Sequence, residues 1–392
     1  MQRNNFLSFD YVVIGAGCAG LSLTTRMTAD PILKSKKILL IDKELKNQND
    51  RTWCFWETGP GFFDQLVFKK WNKLVFQSDR FSDVMDISPY VYKMIRGIDF
   101  YRYCFERLEN QGRVDIMYGN IHGITIDKKA VVLHIDDHDI NLRPETIIFN
   151  SVDFPSKSNG SSNDLWQHFK GWWLETDKSF FNDTVRTLMD FRPWQLYGHT
   201  FAYVLPLDDR RALVEYTLFS KDLLAQHQYD EGLRHYVENW LGLRQYKITC
   251  EEFGKIPMTA KKFSWSRNGM FYIGTAGGQT KASTGYTFNF VQKQSEAIIN
   301  CLANNRPLNS LSSTPSRFRF YDAVLLNILH NNKLNADRIF SDLFKKNKPQ
   351  QLFKFLDNET GFANELKIIR SLPICPFLKA GIREFPVAIG VR

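Results

Sequence analysis

Tyr11-Val12-Val13-Ile14-Gly15-Ala16-Gly17-Cys18-Ala19-Gly20, followed after a polar gap by Ile38-Leu39-Leu40-Ile41-Asp42, is the stretch whose reading decides the fold. An apolar β-branched run feeds straight into glycines spaced GxGxxG, a helix-compatible segment follows, and a second apolar run ends on an acid. This is the strand–turn–helix–strand order of a dinucleotide-binding βαβ unit; a glycine turn outside that order would be a weak signal. Gly15 permits the tight turn, Gly17 lets the backbone approach a pyrophosphate, and Gly20 lets helix and strand pack closely. Ala16 fills the turn, and the helix N-terminus presents N–H groups and a positive dipole end to phosphates. Asp42 is placed to accept hydrogen bonds from a ribose. The early position of the motif and its small residues favour FAD over NAD.

A chain of 392 residues, 43% hydrophobic, is long enough for a large core and for two lobes. The aromatic share is high, 14%, which suits either a roomy apolar cavity or a Phe-rich core. Six scattered cysteines form no CxxC or Cys/His cluster, so neither a disulfide framework nor a metal site is expected. The chain enters its first strand without a signal-like segment, and no apolar run approaches the roughly 18 residues of a spanning helix. A cytoplasmic location is the expectation. The net charge of +9 carries no nucleic-acid motif with it, so no nucleic-acid partner is expected. The basic excess reads either as attraction to an anionic membrane surface or as a solvated face.

Beyond Asp42 comes a polar loop, then the aromatic string Arg51-Thr52-Trp53-Cys54-Phe55-Trp56-Glu57, stopped by Gly59-Pro60-Gly61. Leu74–Phe76 and Tyr90–Lys93 read as short strands, and Asp99–Asn110 as a helix with an Asp cap. Val114–Tyr118, Ala130–Ile135 and Thr146–Phe149 read as strands, and Ser156–Asp164 as a loop between lobes. From Trp166 to Ser220 the pattern is β-rich, with a hairpin turn at Asp208-Asp209-Arg210. Lys221–Leu243 reads as helix and Tyr246–Lys255 as strand. Met270–Ile273 then runs into the glycine-rich Gly274–Gly285, and a helix covers Phe290–Leu302. From Ser316 helical segments alternate with polar links.

The motifs GAGCAGLSL at Gly15, DRTWCFWE at Asp50, GWWLET at Gly171, LMDFR at Leu188, FAYVLPL and ALVEYT between Phe201 and Thr217, and IGTAGGQTKASTGYTF at Ile273 resemble the FAD-dependent lycopene β-cyclases. They lie within the wider group of flavoproteins folded like p-hydroxybenzoate hydroxylase. The motifs occur in family order over the first three-quarters of the chain. The resemblance implies an α/β architecture: a three-layer β/β/α, Rossmann-type FAD-binding domain, an interleaved β-rich substrate domain and a C-terminal helical region. The expected segments are 1–60, 95–155 and 265–302 for FAD, 61–94 and 156–264 for the β-rich domain, and 303–392 for the helices.

The activity implied is a non-redox cyclisation that needs reduced FAD, with NAD(P)H as electron source. A proton reaches the terminal double bond of a linear ψ end group of lycopene, a neighbouring alkene attacks the cation, and proton loss leaves a β-ionone ring. Glu215, in Leu213-Val214-Glu215-Tyr216-Thr217, is the acid by this resemblance. Strand alternation puts it on one face with Leu213, Thr217 and Phe219, where burial would raise its pKa. From the residues alone it could equally be a surface glutamate of an edge strand. Trp53, Phe55, Trp56, Tyr216 and Tyr286 are candidates for the substrate pocket or for ordinary core packing. Arg51 is read as a flavin or phosphate contact or as a loop cap. Gly274, Thr275, Gly285 and Tyr286 belong to the second flavin segment. Two departures stand out: Gly274-Thr275 replaces the usual Gly-Asp of flavin hydroxylases, and Asn150-Ser151-Val152-Asp153 lacks their Asp-Gly turn.

The rival readings are a flavin monooxygenase or isoprenoid-chain reductase of the same fold, and a carotenoid- or prenyl-binding protein without chemistry. The expected partners are a lipid-dissolved carotenoid, the surface of the inner membrane as a peripheral contact, and other carotenoid-pathway enzymes. The apolar piece Leu372–Leu378 suits peripheral docking.

Overall fold

A computed structural model describes residues 6–128, 130–152, 163–267, 269–311 and 315–388, with side chains to residue 385. The chain begins β1 (Tyr11–Ile14), α1 (Cys18–Ala29), β2 (Ile38–Asp42) and β3 (Thr52–Glu57). Short strands β4 (Lys69–Trp71), β5 (Lys73–Gln77), β6 (Ser82–Asp86) and β7 (Val91–Arg96) lead to α2 (Gly97–Glu109). Five more follow: β8 (Val114–Tyr118), β9 (Ile121–Ile126), β10 (Val131–Ile135), β11 (His138–Leu142) and β12 (Ile147–Asn150). Then come β13 (Leu165–Glu175), β14 (Val185–Asp190), β15 (His199–Pro206), β16 (Arg211–Ser220), α3 (Gln226–His235) and β17 (Lys247–Met258). β18 (Ser266–Arg267) and β19 (Met270–Tyr272) precede α4 (Phe288–Ala303). The tail holds α5 (Ser316–His330), α6 (Ala336–Lys346), α7 (Pro349–Leu356), α8 (Phe362–Arg370) and α9 (Ile374–Ala388).

The first unit has three layers. A six-stranded sheet in the order β18-β19-β12-β1-β2-β8 forms the middle, parallel from β19 to β8. Val12, Ile14, Leu39 and Ile41 pack on one side against Leu133 and Ile135 of the three-stranded sheet β11-β10-β9. Tyr11, Val13 and Leu40 pack on the other side with Leu21, Phe100 and Val291 from α1, α2 and α4. Burial on both faces is why these strands read as unbroken apolar runs and not as alternating ones. This is the expected β/β/α arrangement.

The second unit is a seven-stranded sheet, β17-β13-β16-β15-β14-β5-β6, antiparallel except between β14 and β5. Its strands alternate. Trp172, Val214 and Tyr216 turn toward α3, and Leu213, Phe219 and Phe201 toward Phe340, Phe344 and Phe353 of the C-terminal helices. β7 pairs with β3 on one side and β4 on the other in a small sheet apart from the six-stranded one.

Some local readings need correction. Asp99 does not cap α2; Arg96 does, and Asp99 in the first turn grips Arg96 at 2.6 Å. Residues 221–225 are not helical, because the Ser220 hydroxyl donates to the Asp222 carbonyl at 2.5 Å and turns the chain before α3. The loop expected at Ser156–Asp164 lies outside the described residues except for Asn163 and Asp164, and Asp153 also lies outside them.

Candidate active site

The glycine turn is built as its sequence requires. Gly15 has φ +92°, a conformation other residues rarely adopt, and a Cβ there would stand 2.1 Å from Ser151 Oγ. A Cβ on Gly20 would stand 1.9 Å from the Gly15 carbonyl oxygen, so helix and turn touch only because it is absent. A Cβ on Gly17 would meet nothing within 4 Å. Gly17 caps α1 without any side-chain hydrogen bond, and the first turn carries no acid. An uncapped helix N-terminus behind open space fits a pyrophosphate. Asp42 lies at the end of β2 as expected, but its carboxylate is engaged within the turn. It accepts from Ala16 N–H at 2.6 Å and Glu44 N–H at 3.0 Å, and it pairs with Lys46 at 3.1 Å.

Arg51 is exposed and ion-paired with Asp50 at 3.3 Å, close enough to α1 to act electrostatically on Cys18. Gly274 (φ +61°) and Gly285 (φ +74°) supply left-handed turns at either end of the second glycine segment. Gly274 lies against Ala19 of α1, joining the two segments. Thr275 is exposed, and its hydroxyl meets that of Thr280 at 3.1 Å.

Between the seven-stranded sheet and the C-terminal helices lies a cavity of about 790 Å³, at the large end of the roughly 300–1,000 Å³ usual for ligand sites. Its floor includes Trp56, Leu188, Tyr203, Phe219 and Tyr286, and its roof includes Phe320, Phe340 and Phe355. Trp56 meets Tyr286 edge-on at 4.5 Å, and its indole N–H donates to Asp357 at 3.0 Å. The other pocket aromatics need correction. Strand alternation along β3 sends Trp53 and Phe55 the opposite way from Trp56, into the core beneath α1, α2 and α4. There Phe55 stacks on Phe288 at 4.3 Å, and Trp53 meets Phe100 at 5.1 Å. Tyr216 likewise points away from the cavity, toward α3, where Gly232 sits over its ring.

Glu215 lies on the cavity-facing side of β16, opposite Tyr203 of β15. It is not itself part of the cavity wall; its neighbour Tyr203 is. Its partner on the other side was not foreseen. Gly171 of β13 is paired with Glu215 of β16 and also with Glu252 of β17. With no side chain between them, the two glutamates face each other across the glycine, near enough for the Glu252 charge to act on Glu215. A Cβ at position 171 would stand 2.9 Å from Glu252 Cγ and 3.2 Å from Glu215 Cγ.

Burial, the Glu252 charge and the hydrogen bond to it push the Glu215 carboxyl well above the usual carboxylate range, against the opposing field of Arg186. Burial also raises Glu252, but hydrogen bonds from Glu215, Thr52 and Trp173 pull it back. The Thr52 hydroxyl donates to Glu252 Oε2 at 2.8 Å, and the Trp173 indole N–H reaches the same oxygen at 3.4 Å. A carboxylate that collects donors is favoured as the charged member of such a pair, which favours the proton on Glu215.

Arg186 was also missed. It is 1% exposed, makes no salt bridge within 4.0 Å among the described residues, and lies 3.9 Å over the Tyr92 ring and 5.3 Å from that of Tyr203. Among the described residues its Nε and Nη1 have no hydrogen-bond partner. Tyr92 and Tyr286 join their hydroxyls at 2.8 Å beside it. Nothing in the string Thr-Val-Arg-Thr sets this arginine apart from a surface residue. The signal for Glu252 was faint: a strand glycine at 171 marks a close approach, but not of what.

The family model for the lycopene cyclase protein matches residues 10–381. No curated protein matches the chain. Among solved structures it is similar to a flavoprotein/dehydrogenase from Cytophaga hutchinsonii, with TM-score 0.63 and 12% identity over 97% of this chain and 100% of that one. It is also similar to a geranylgeranyl bacteriochlorophyll reductase-like protein from Thermoplasma acidophilum, with TM-score 0.59 and 12% identity over 98% of each chain. A third is the flavin-dependent brominase Bmp2, with TM-score 0.57 and 13% identity over 98% of each chain. At these identities the likeness establishes the shared Rossmann-type α/β fold.

Proposed function

The chain belongs to the lycopene cyclase family, and from that premise we propose that it is a lycopene β-cyclase. On this reading it converts the linear ψ end groups of lycopene to β-ionone rings, through γ-carotene to β-carotene. The observation that carries the proposal is Glu215, a carboxyl pushed toward its protonated form next to Tyr203, which belongs to the floor of a large aromatic cavity. An acid of that kind can protonate an alkene only where water is excluded, because water would otherwise take the proton and quench the cation.

The cavity does the remaining work. Its walls force a long polyene to fold, bringing the second alkene within reach of the cation at the end group. The electron-rich faces of Tyr203, Tyr286 and Trp56 lower the energy of positive charge beside them. Loss of a neighbouring proton closes the cycle, and the product has the mass of the substrate.

FAD is the proposed cofactor, with NAD(P)H as its source of electrons. Gly15, Gly17 and the N-terminus of α1 would hold its pyrophosphate, and Gly274–Gly285 its flavin end. When bound and reduced it supplies negative charge near a reaction that passes through a cation. Asp42 reaches a ribose only by exchanging one of its present bonds to the turn.

The proposed partner is a membrane surface, contacted without crossing it. Among the described residues no helix is long and apolar enough to span a bilayer. The outer face of α9 exposes Ile374 (67%), Leu378 (61%), Ile382 (68%) and Phe385 (55%), all of which also line the cavity. Lys367, Arg370, Lys379 and Arg383 are exposed around them, while Glu365 and Glu384 turn inward to Arg317 and Asn327. An apolar stripe with a basic rim suits an anionic lipid surface, from which a dissolved carotenoid could enter directly.

The test is incubation with lycopene-loaded liposomes, FAD and an anaerobic reductant, with product absorbance and mass as readouts. Cyclised product of unchanged mass is expected, and E215Q should make none. A gain of two hydrogens would identify a reductase, and a gain of oxygen a monooxygenase.

A further inference from the structure

A half-buried and a buried carboxyl side by side are costly to build into a sheet, and the chain does so with a glycine in β13 that serves no turn. Gly171 is an interior residue of an 11-residue strand, flanked by partners on both sides. Glycine there weakens a strand by about 0.5–1 kcal/mol relative to alanine. What it permits is the close approach of Glu215 and Glu252, since a Cβ at 171 would push on both side chains.

We propose that Glu252 is the positioning residue of the acid: the pair shares one proton, which Glu252 holds on Glu215 and aims before transfer, and to which the pair returns after ring closure. This deepens the cyclase reading and rests on it.

The step balances without an oxidant. The Glu215 O–H bond breaks and leaves its electron pair on oxygen, while the terminal alkene uses its pair to form a new C–H bond. A second alkene pair forms the ring C–C bond. A C–H bond next to the resulting cation then breaks, its electrons becoming the new ring alkene, and that proton restores the pair to its starting charge. In between, two carboxylates face each other in an enclosed site, which is the least stable charge state of such a pair. That repulsion holds the cation nearby and draws a proton back. Glu215 therefore leaves each turnover as it entered, with no exchange through bulk water.

The fixed surroundings support this division of labour. Thr52 and Trp173 both donate to Glu252, which anchors its side chain, whereas among the described residues no such donor reaches Glu215. The charged and titratable groups facing the pair are Arg186 from β14, Tyr203 from β15, Cys54 from β3 and, toward Glu252, Asp50. Cys54 and Tyr203 are both pushed up by burial and stay neutral, leaving Arg186 as the opposing charge on Glu215 among the described residues.

E252Q, E252D and E215Q in the full chain with FAD test this. In E252Q the amide removes the like charge and offers an N–H, so Glu215 becomes a stronger acid that ionises at lower pH. Cyclisation at neutral pH should fall at least about tenfold, and by no more than the roughly 10²–10⁴ usual for a general acid. It should recover as the pH is lowered, moving the basic limb of the rate profile toward acid. E252D, which keeps the charge, should keep the limb near its parental place. A uniform loss with an unmoved limb would mean that Glu252 is only structural, and would overturn the proposal.

Infrared spectroscopy supplies a readout independent of turnover. At neutral pH the parent should show a protonated-carboxyl band that E215Q lacks and E252Q weakens. No such band in the parent, or one indifferent to E252Q, also overturns it. If the parent shows the band but never cyclises lycopene, the function reading fails while the shared proton stands.

Discussion

Alanine at position 171 isolates the geometry of the carboxyl pair from its chemistry, because it changes neither glutamate. The new methyl would lie 2.9 Å from Glu252 Cγ, 3.0 Å from Leu213 Cδ1 and 3.2 Å from Glu215 Cγ. Relaxed carbon contacts sit at about 3.5–4.0 Å, so each glutamate must withdraw by roughly half an ångström. They flank the methyl from neighbouring strands, so the withdrawals add to about 1 Å, enough to break a hydrogen bond between them. Overpacking of this kind costs about 1–3 kcal/mol, of which alanine recovers about 0.5–1 through its better strand propensity. The net loss is small beside the roughly 5–15 kcal/mol of a folded domain. The G171A protein should therefore fold, melt slightly earlier, and cyclise lycopene about a hundredfold more slowly. The assay pairs a urea melt with initial rates in lycopene-loaded liposomes at neutral pH. A folded G171A protein that works at the parental rate refutes the reasoning, since the carboxyls would then have no need to touch.

Asp357, buried beneath Trp56, has its carboxyl pushed up to about 6, chiefly by burial. In the unfolded chain an Asp titrates near 4. The folded state binds the extra proton between those values, so this contribution to stability is present below pH ~4 and lost as pH rises through about 6. Against D357N, the parent should lose about 3 kcal/mol across that window, and a flat difference between their urea stabilities would show that the burial is not felt. Lys281 joins the glycine segment to α5 through Asp322 at 2.9 Å and to Asn358 at 2.7 Å. K281M strands a buried carboxylate and should cost about 3 kcal/mol or more in denaturant, with K281M/D322L recovering most of it. On α9, L378D/I382D should weaken sedimentation with anionic vesicles by about 2 kcal/mol, or about thirtyfold. Unchanged vesicle binding would remove α9 as the lipid contact.

The nucleotide unit was legible because each of its features is local: a buried strand, a glycine turn and an acid within Tyr11–Asp42. The lobe that holds the acid was legible in outline, since period-two alternation in Leu213–Phe219 already faced Glu215 toward an apolar side. Alternation also held the answer for Trp53, Phe55 and Trp56, which cannot share a face on one strand. Glu252 was different. It meets Glu215 only because β13 lies between β16 and β17, a pairing between segments far apart in sequence. The short strands β4, β6, β9 and β11 carry too few inward residues to show a period. The apolar stripe of α9 was seen only as Leu372–Leu378; its Pro376 sits in the first turn of the helix, where no N–H is missed.

The chamber is assembled from two unrelated stretches of chain: the acid stands on a sheet floor, while five tail helices form the ceiling. Changing the length or girth of a ceiling helix would reshape what fits without disturbing how protons move below. Selection of the polyene and execution of the chemistry can thus diverge separately, and a hybrid joining this floor to a relative's tail should inherit its substrate range from the tail.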